Sequence, residues 1–323
     1  MSAKIAIVIP CFRVCDSIIN VVEGALNYAG MIICVDDACP DGSGRLVEKD
    51  ISDSKVNVLY NARNLGVGGA VKAGYRAALE AGCDVVVKLD GDGQMDPSLI
   101  PELVQPILDA HSDYCKGNRF HELDYVKNMP AIRLFGNSML SLLTKISSGY
   151  WRIMDPTNGY TAIGSRALSD IPLTKISDGY FFESDMLFRL NVARAVVTDI
   201  PMRAHYGDET SNLRINRVLG PFLLGNLRNL FKRVFYNYFL RDFNIATLEL
   251  LVGILSSLFG LFTGINAWSQ SIESGIPASS GTVMLSALPI LIGFQLLLSF
   301  LNYDIQNIPV RVLGRFKPRE AVD

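Results

Sequence analysis

The sequence lacks an excess of either charge: 30 Lys and Arg stand against 32 Asp and Glu, a formal net charge of −2. That balance argues against a general nucleic-acid binder, which needs a basic surface to neutralise phosphates. Paired CxxC units are absent as well, and the six cysteines (Cys11, Cys15, Cys34, Cys39, Cys83, Cys115) lie in the first third of the chain. Cys11 and Cys15 could bind metal, but without a paired unit reduced cytosolic thiols are the stronger reading. No secretory signal opens the chain, since Met1 to Ile9 holds one lysine and then a short β-branched run. A GxGxxG run is missing too: Gly66-Val67-Gly68-Gly69 comes nearest, and its third glycine would fall on Val71. This disfavours a nicotinamide dinucleotide site, although a loop and helix start receiving a phosphate remain open.

The 323 residues suffice for a domain with a large core and something extra. Mean hydropathy is positive at +0.25, and the excess sits late in the chain, past the globular part. Early on, β-branched runs alternate with helical periodicity: Lys4 to Pro10, Met31 to Val35, Val56 to Tyr60 and Val85 to Lys88 read as strands. Asp16-Ser17 is placed to cap a helix through Ile18, Val22 and Leu26, and Ala70 to Ala81 reads as another. Such alternation predicts right-handed crossovers, a parallel sheet, and a ligand beyond the carboxyl ends of the strands.

The stretch Val85-Val86-Val87-Lys88-Leu89-Asp90-Gly91-Asp92-Gly93-Gln94 concentrates the chemistry. Two carboxylates two residues apart, an amide oxygen and glycines that let a ligand come close suit Mg²⁺ or Mn²⁺, which keep positions open for phosphate oxygens. A bare Asp-X-Asp is also an ordinary acidic turn, so the neighbouring segments decide.

From Pro221 the chemistry changes. Leu223, Leu227, Leu230, Val234 and Tyr238 form one stripe, with Arg228, Lys232 and Arg233 away from it, as in a helix lying at a membrane interface. Ala246 to Trp268 holds a single charge, Glu249, and Gly281 to Leu301 holds none. At 1.5 Å per residue each reaches about 30 Å, the hydrocarbon thickness, so two spanning helices are expected. The link Ser269 to Ser280 has no Lys or Arg, whereas the tail carries Arg311, Arg315, Lys317 and Arg319. The positive-inside tendency then puts both termini and the N-terminal domain on the cytoplasmic side. The expected division is a catalytic domain over 1–212, juxtamembrane amphipathic helices over 213–243, two transmembrane helices over 244–303 and a basic tail over 304–323.

Taken together, the opening strand with Pro10, Val35-Asp36-Asp37, Asn64-Leu65-Gly66, Asp90-Gly91-Asp92-Gly93-Gln94, Gly117-Asn118-Arg119 and Asn158-Gly159-Tyr160 resemble, in order, the inverting GT-A glycosyltransferases of family 2. Within that family the chain is most similar to the dolichyl-phosphate mannose synthase and bacterial polyprenyl-phosphate branch, from about Lys4 to Asn212. The resemblance implies an α/β fold with a mostly parallel sheet, a nucleoside diphosphate sugar donor and a polyprenyl phosphate acceptor. It puts Asp37, with Asp36 beside it, at the nucleotide base, and Pro10, Asn64, Gly66, Lys88, Asp90 and Gly91 in the donor site. Asp90, Asp92 and Gln94 would hold the divalent metal. Arg119 and Arg133 would receive the lipid phosphate, with Asn137 where the branch commonly has serine, and with Asn158 beside the acceptor. Where the family often shows an arginine and then Gly-X-Ser-Lys, this chain has His205 to Asn212 without the lysine. No QxxRW run appears, which speaks against a processive polysaccharide synthase.

A phosphate acceptor is already an anionic nucleophile and needs cations, for which the guanidinium fork is suited. A hydroxyl acceptor, such as a lipid-linked glycan, would need a base, and Glu183 and Asp185 are the candidates. A catalytically silent membrane adaptor of the same fold is the rival from another class. The transmembrane helices also offer a route to a homo-oligomer. For the topology, a cysteine placed at Ser274 should react with an impermeant reagent in intact cells; labelling only after lysis would overturn it.

Overall fold

The apolar runs become the strands β1 (Ile5–Cys11), β2 (Met31–Asp36), β3 (Val56–Tyr60), β4 (Val85–Lys88), β5 (Tyr114–Asn118), β6 (Thr161–Gly164) and β7 (Val197–Pro201). They form one seven-stranded sheet in the order β3-β2-β1-β4-β6-β5-β7. β6 runs antiparallel to both neighbours and every other pair is parallel, so the sheet is α/β and mostly parallel. The computed structural model describes residues 3–121, 131–202 and 215–314, the side chains of 131–135, 137 and 215–219 excepted. The His205 to Asn212 segment lies outside the described residues.

The helices are α1 (Ile18–Ala25), α2 (Ser43–Asp50), α3 (Val67–Glu80), α4 (Ile100–Leu108), α5 (Ala131–Ser148), α6 (Ser165–Asp170), α7 (Phe182–Ala193), α8 (Ile215–Phe235), α9 (Ile245–Ser274) and α10 (Ser280–Gln306). One sheet face carries Ala6, Val8, Val86, Tyr114 and Ile163 and packs on Tyr75 and Ala78 of α3 and on Phe182 and Leu187 of α7. The other carries Ile7, Ile9, Val85, Val87 and Ala162 beneath α1 and α4. Period-two alternation sorts the strand residues between these two cores.

Register places polar groups inside that scaffold. Lys88 lies opposite Thr161, Thr161 opposite Lys116, and Lys116 opposite Asp199. Partners in register share a face, so these residues form one transverse row on the α3–α7 side of the sheet.

Two local expectations change. Ser17 stands at the N-cap of α1 without a side-chain cap. Its hydroxyl instead donates to the Gly91 carbonyl at 2.7 Å, tying the helix start to the acidic loop. Helix α3 begins three residues earlier than its periodicity implies. Gly66, at φ +84°, turns the chain into it, and the Gly69 amide donates to the Asp178 carbonyl at 3.1 Å.

The chain divides into two units, Met1–Arg233 with Pro309–Asp323, and Val234–Ile308. In the first, Leu313 returns to the globular part, its amide donating to both oxygens of Asp113 at 2.9 and 3.1 Å. The second is an antiparallel hairpin of α9 and α10, the helices among the described residues long and apolar enough to cross a membrane. Gly253 backs onto Leu297 and the Gly293 carbonyl, and Gly260 onto Ser286 and Ile290. Small residues thereby let the two backbones approach. Both helices outrun their apolar cores, because Ser274 bonds back to the Gln270 carbonyl and Ser279 caps α10. The turn shrinks to 275–279.

Helix α8 is inverted relative to a soluble helix. Asn226, Asn229 and Arg233 are buried, whereas Leu223, Leu224, Leu227, Phe231 and Phe235 face outward. Arg233, which the sequence pattern set away from the apolar stripe, donates to the Ile146 and Ser147 carbonyls at 2.9 and 3.1 Å. A cation at the last carbonyls of α5 answers their unpaired acceptors and the helix dipole together. Arg233→Met should therefore destabilise the full chain by about 2–4 kcal/mol, the cost of buried acceptors losing a charged donor. Denaturant unfolding in detergent measures it, and an unchanged midpoint would refute the cap.

Candidate active site

The carboxyl ends of β1, β2, β3, β4 and β5 share one rim, and every candidate loop opens there. Beyond β2, Asp36 accepts from the Cys39 and Gly44 amides at 2.7 and 2.8 Å. Asp37 accepts from Asn61 Nδ2 at 2.7 Å, the Leu65 amide at 2.9 Å and the Gly66 amide at 2.8 Å. Both carboxylates are buried and shape the two loops flanking the rim. Asn64 is exposed, its Oδ1 accepting from the Gly66 amide at 3.0 Å. Gly91 packs against the Pro10 carbonyl, where a Cβ would come within 3.2 Å.

Beyond β4, Lys88 is buried beneath the rim rather than lining it. Its Nζ lies 2.8 Å from Asp90 Oδ1 and 3.3 Å from Glu183 Oε1, and donates to the Gly159 carbonyl at 3.1 Å. Burial alone would pull its pKa down, but Asp90 and then Glu183 override this and hold it above the ordinary lysine value. Gly159 is required, because a Cβ there would meet Lys88 Nζ and come within 2.7 Å of Asp90 Oδ2. Asp92 Oδ1 accepts from the Gln94 amide at 3.0 Å, folding the loop into a tight Asx turn.

The donor set fits a hard divalent cation shared with a ligand. Asp90 Oδ1 is buried against the Lys88 ammonium at 2.8 Å, while the Asp90 side chain keeps 28% of its surface exposed. Among the described residues no three His, Cys, Asp or Glu side chains gather into a protein-only cage. Mg²⁺ characteristically takes one or two carboxylates and completes its shell with water and substrate phosphate.

Beyond β5, Arg119 forks onto Asp155, Nε to Oδ2 at 2.7 Å and a terminal nitrogen to Oδ1 at 3.1 Å. Asp155 is fully buried, whereas the Arg119 side chain keeps 32% of its surface exposed. Arg133 and Asn137 belong to α5, but their side chains lie outside the described residues. Asn158 is withdrawn from the cleft: its Nδ2 donates to the Gly117 carbonyl at 2.7 Å and its Oδ1 accepts from the Tyr160 amide at 3.0 Å.

The two acids at the start of α7 diverge. Glu183 turns to Lys88, while Asp185 accepts from the Ser177 amide at 2.9 Å and Asn229 Nδ2 at 3.1 Å. Spacing of two on a helix puts side chains on different faces. Asp155 and Lys116 escaped the sequence reading; a lysine following Tyr114-Cys115 within a short strand was the available signal.

The sequence model described as Glycosyl transferase family 2 matches residues 6–171. The chain belongs to that family. It is 28% identical over 230 residues to a UDP-N-acetylglucosamine–dolichyl-phosphate N-acetylglucosaminyltransferase of Methanococcus voltae, covering 67% of this chain and 91% of that one. It is 35% identical over 173 residues to an undecaprenyl-phosphate mannosyltransferase of Micrococcus luteus, covering 53% and 70%. In fold it matches glucosyl-3-phosphoglycerate synthase of Mycobacterium tuberculosis, solved with Mn²⁺, UDP and phosphoglyceric acid. That match has a TM-score of 0.53 at 19% identity, over 72% of this chain and 78% of that one. The chain is thus a glycosyltransferase of GT-A type.

For this glycosyltransferase, a cation at Asp90, Asp92 and Gln94 would make chelation abolish transfer. Asp92→Asn, which removes one charge with little change of shape, should lower turnover at least about a hundredfold. Full activity of Asp92→Asn at low Mn²⁺, with the fold checked by circular dichroism, would reject the assignment.

Proposed function

We propose that this glycosyltransferase is membrane-anchored and inverting, and moves a sugar from a UDP- or GDP-linked donor to a polyprenyl phosphate. The observation carrying the phosphate acceptor is that both candidate bases are engaged. Glu183 faces the Lys88 ammonium, and Asp185 is buried against Ser177 and Asn229. A hydroxyl nucleophile must lose a proton to a base, whereas a phosphate needs only cations to hold it. Arg119 lies at the rim, oriented by Asp155 and partly exposed. The relatives' dolichyl and undecaprenyl phosphate acceptors support the same class here.

In this reading an acceptor phosphate oxygen attacks the anomeric carbon while the bond from that carbon to the donor diphosphate breaks. The electron pair leaves with the diphosphate, and the configuration at carbon inverts. Asp90, Asp92 and Gln94 would hold a divalent cation, which would stabilise the leaving charge. Lys88 fixes the Asp90 carboxylate, and Asp37 and Asp36 shape the loops around the nucleotide. Arg119 and Arg133 receive the acceptor phosphate, with Asn137 one turn beyond Arg133.

Anchoring rests on α9 and α10 and on the outward Leu and Phe stripe of α8, which suits a lipid interface. Two spans return the chain to the side it left, in keeping with Leu313 bonding Asp113 of the catalytic unit. The basic tail makes that side cytoplasmic.

Four variants separate the acceptor classes. With a phosphate acceptor, Arg119→Ala and Arg133→Ala should each lose about tenfold to a hundredfold in acceptor use, one charge-assisted contact apiece. Glu183→Gln and Asp185→Asn, assayed per folded molecule, should matter less. Transfer to the dephosphorylated alcohol, or abolition by an acid variant alone, would sink this reading.

A further inference from the structure

The end of β5 grips one turn along its length. Lys116 Nζ donates to the Asn158 carbonyl, and the Gly117 amide donates to the Tyr160 carbonyl at 2.9 Å. The Gly117 carbonyl accepts from Asn158 Nδ2 at 2.7 Å, and Arg119 forks onto Asp155. From β4, Lys88 holds the next carbonyl, Gly159, at 3.1 Å. Two buried lysines, each opposite Thr161, thus hold consecutive carbonyls of the same turn. Burying an ammonium is costly, and a neutral donor would satisfy a carbonyl with less desolvation. The turn itself joins two parts of the site. Asp155 at its start orients Arg119, and Gly159 near its end backs onto Asp90.

We propose that Lys116 is a positioning residue: by clasping the Asn158 carbonyl it fixes the turn that aims Arg119 at the acceptor. The catalytic part rests on the acceptor reading above; the clasp itself does not. Groups from every neighbouring element face it. Burial pulls the Lys116 pKa down to about 8, opposed by Glu183 of α7 and Asp155 of the turn, assisted by Lys88 of β4 and opposed by Asp199 of β7. Asp199 has its own pKa raised by burial to about 6 and so is ionised where Lys116 titrates. Losing the proton removes the desolvated charge that the closed turn has to bury. Above that pH the unfolded chain still binds the proton that the folded one has released, so this group adds stability as pH rises. Opening the turn wets Lys116 and is linked to proton uptake in the same sense, so the turn too tightens as pH rises.

The test uses the full chain in detergent and Lys116→Met, which keeps length but removes charge and donor. Hydrogen exchange of the 155–160 peptide should accelerate about tenfold while β1 and β4 stay protected. The acceptor KM should rise about tenfold or more and the donor KM stay within about twofold, because only the aim of Arg119 is lost. An unchanged turn, or both KM values rising together, overturns the proposal. If wild type transfers to no polyprenyl phosphate, the acceptor reading fails, and the exchange of the turn still decides the clasp. Should Lys116→Met not fold, the wild-type turn decides it. Corrected for intrinsic exchange, it should tighten relative to β1 from about pH 7 to about pH 9, because opening the turn wets Lys116 and takes up its proton, and a flat response overturns the proposal.

Discussion

An ammonium sealed under the catalytic rim must be compensated from every side, and Lys88 meets that requirement with three elements at once. Asp90 comes from the loop just beyond its own strand, Glu183 from the first turn of α7, and the Gly159 carbonyl from the turn entering β6. Leaving any of these out would strand a charge where water cannot reach it. The constraint explains why residue 159 carries no Cβ and why α7 presents Glu183 rather than Asp185 to the rim. It also makes the acidic loop a consequence of core packing, because Asp90 is held from below before any ligand arrives.

The same logic of compensated polarity runs through the loops. Asp36 and Asp37 each collect main-chain amides, converting flexible connections after β2 and β3 into fixed walls. A rim built from loops can vary its ligand while the sheet beneath stays constant, which fits a fold shared with a solved glycosyltransferase at only 19% identity. What the loops present is carboxylates after β2 and β4 and an oriented guanidinium after β5.

Helix α8 reverses the usual sense of amphipathicity. Asn229 and Arg233 satisfy Asp185 and buried carbonyls, and Leu223, Leu224, Leu227, Phe231 and Phe235 are left outside. Such a face costs little only where the surroundings are apolar. The inversion is thus the local counterpart of the apolar helices that follow it in the chain.

Much of the scaffold could be read from sequence because its causes are local. Strands such as Ile5–Cys11 and Val85–Lys88 follow from unbroken β-branched runs, and the two long apolar helices follow from length against charge content. The acidic loop was legible for the same reason, since Asp90, Asp92 and Gln94 are neighbours in the chain. What tertiary structure alone decided is pairing between distant segments. The antiparallel β6 puts Lys88 and Lys116 opposite Thr161, and the 155–160 turn delivers Asp155 to Arg119. Helix α7 chose between its two acids through partners on β4 and α8, and the polar side of α8 was chosen by carbonyls ending α5. Periodicity reports which face of an element is apolar; only three-dimensional contact determines which buried charges neutralise one another.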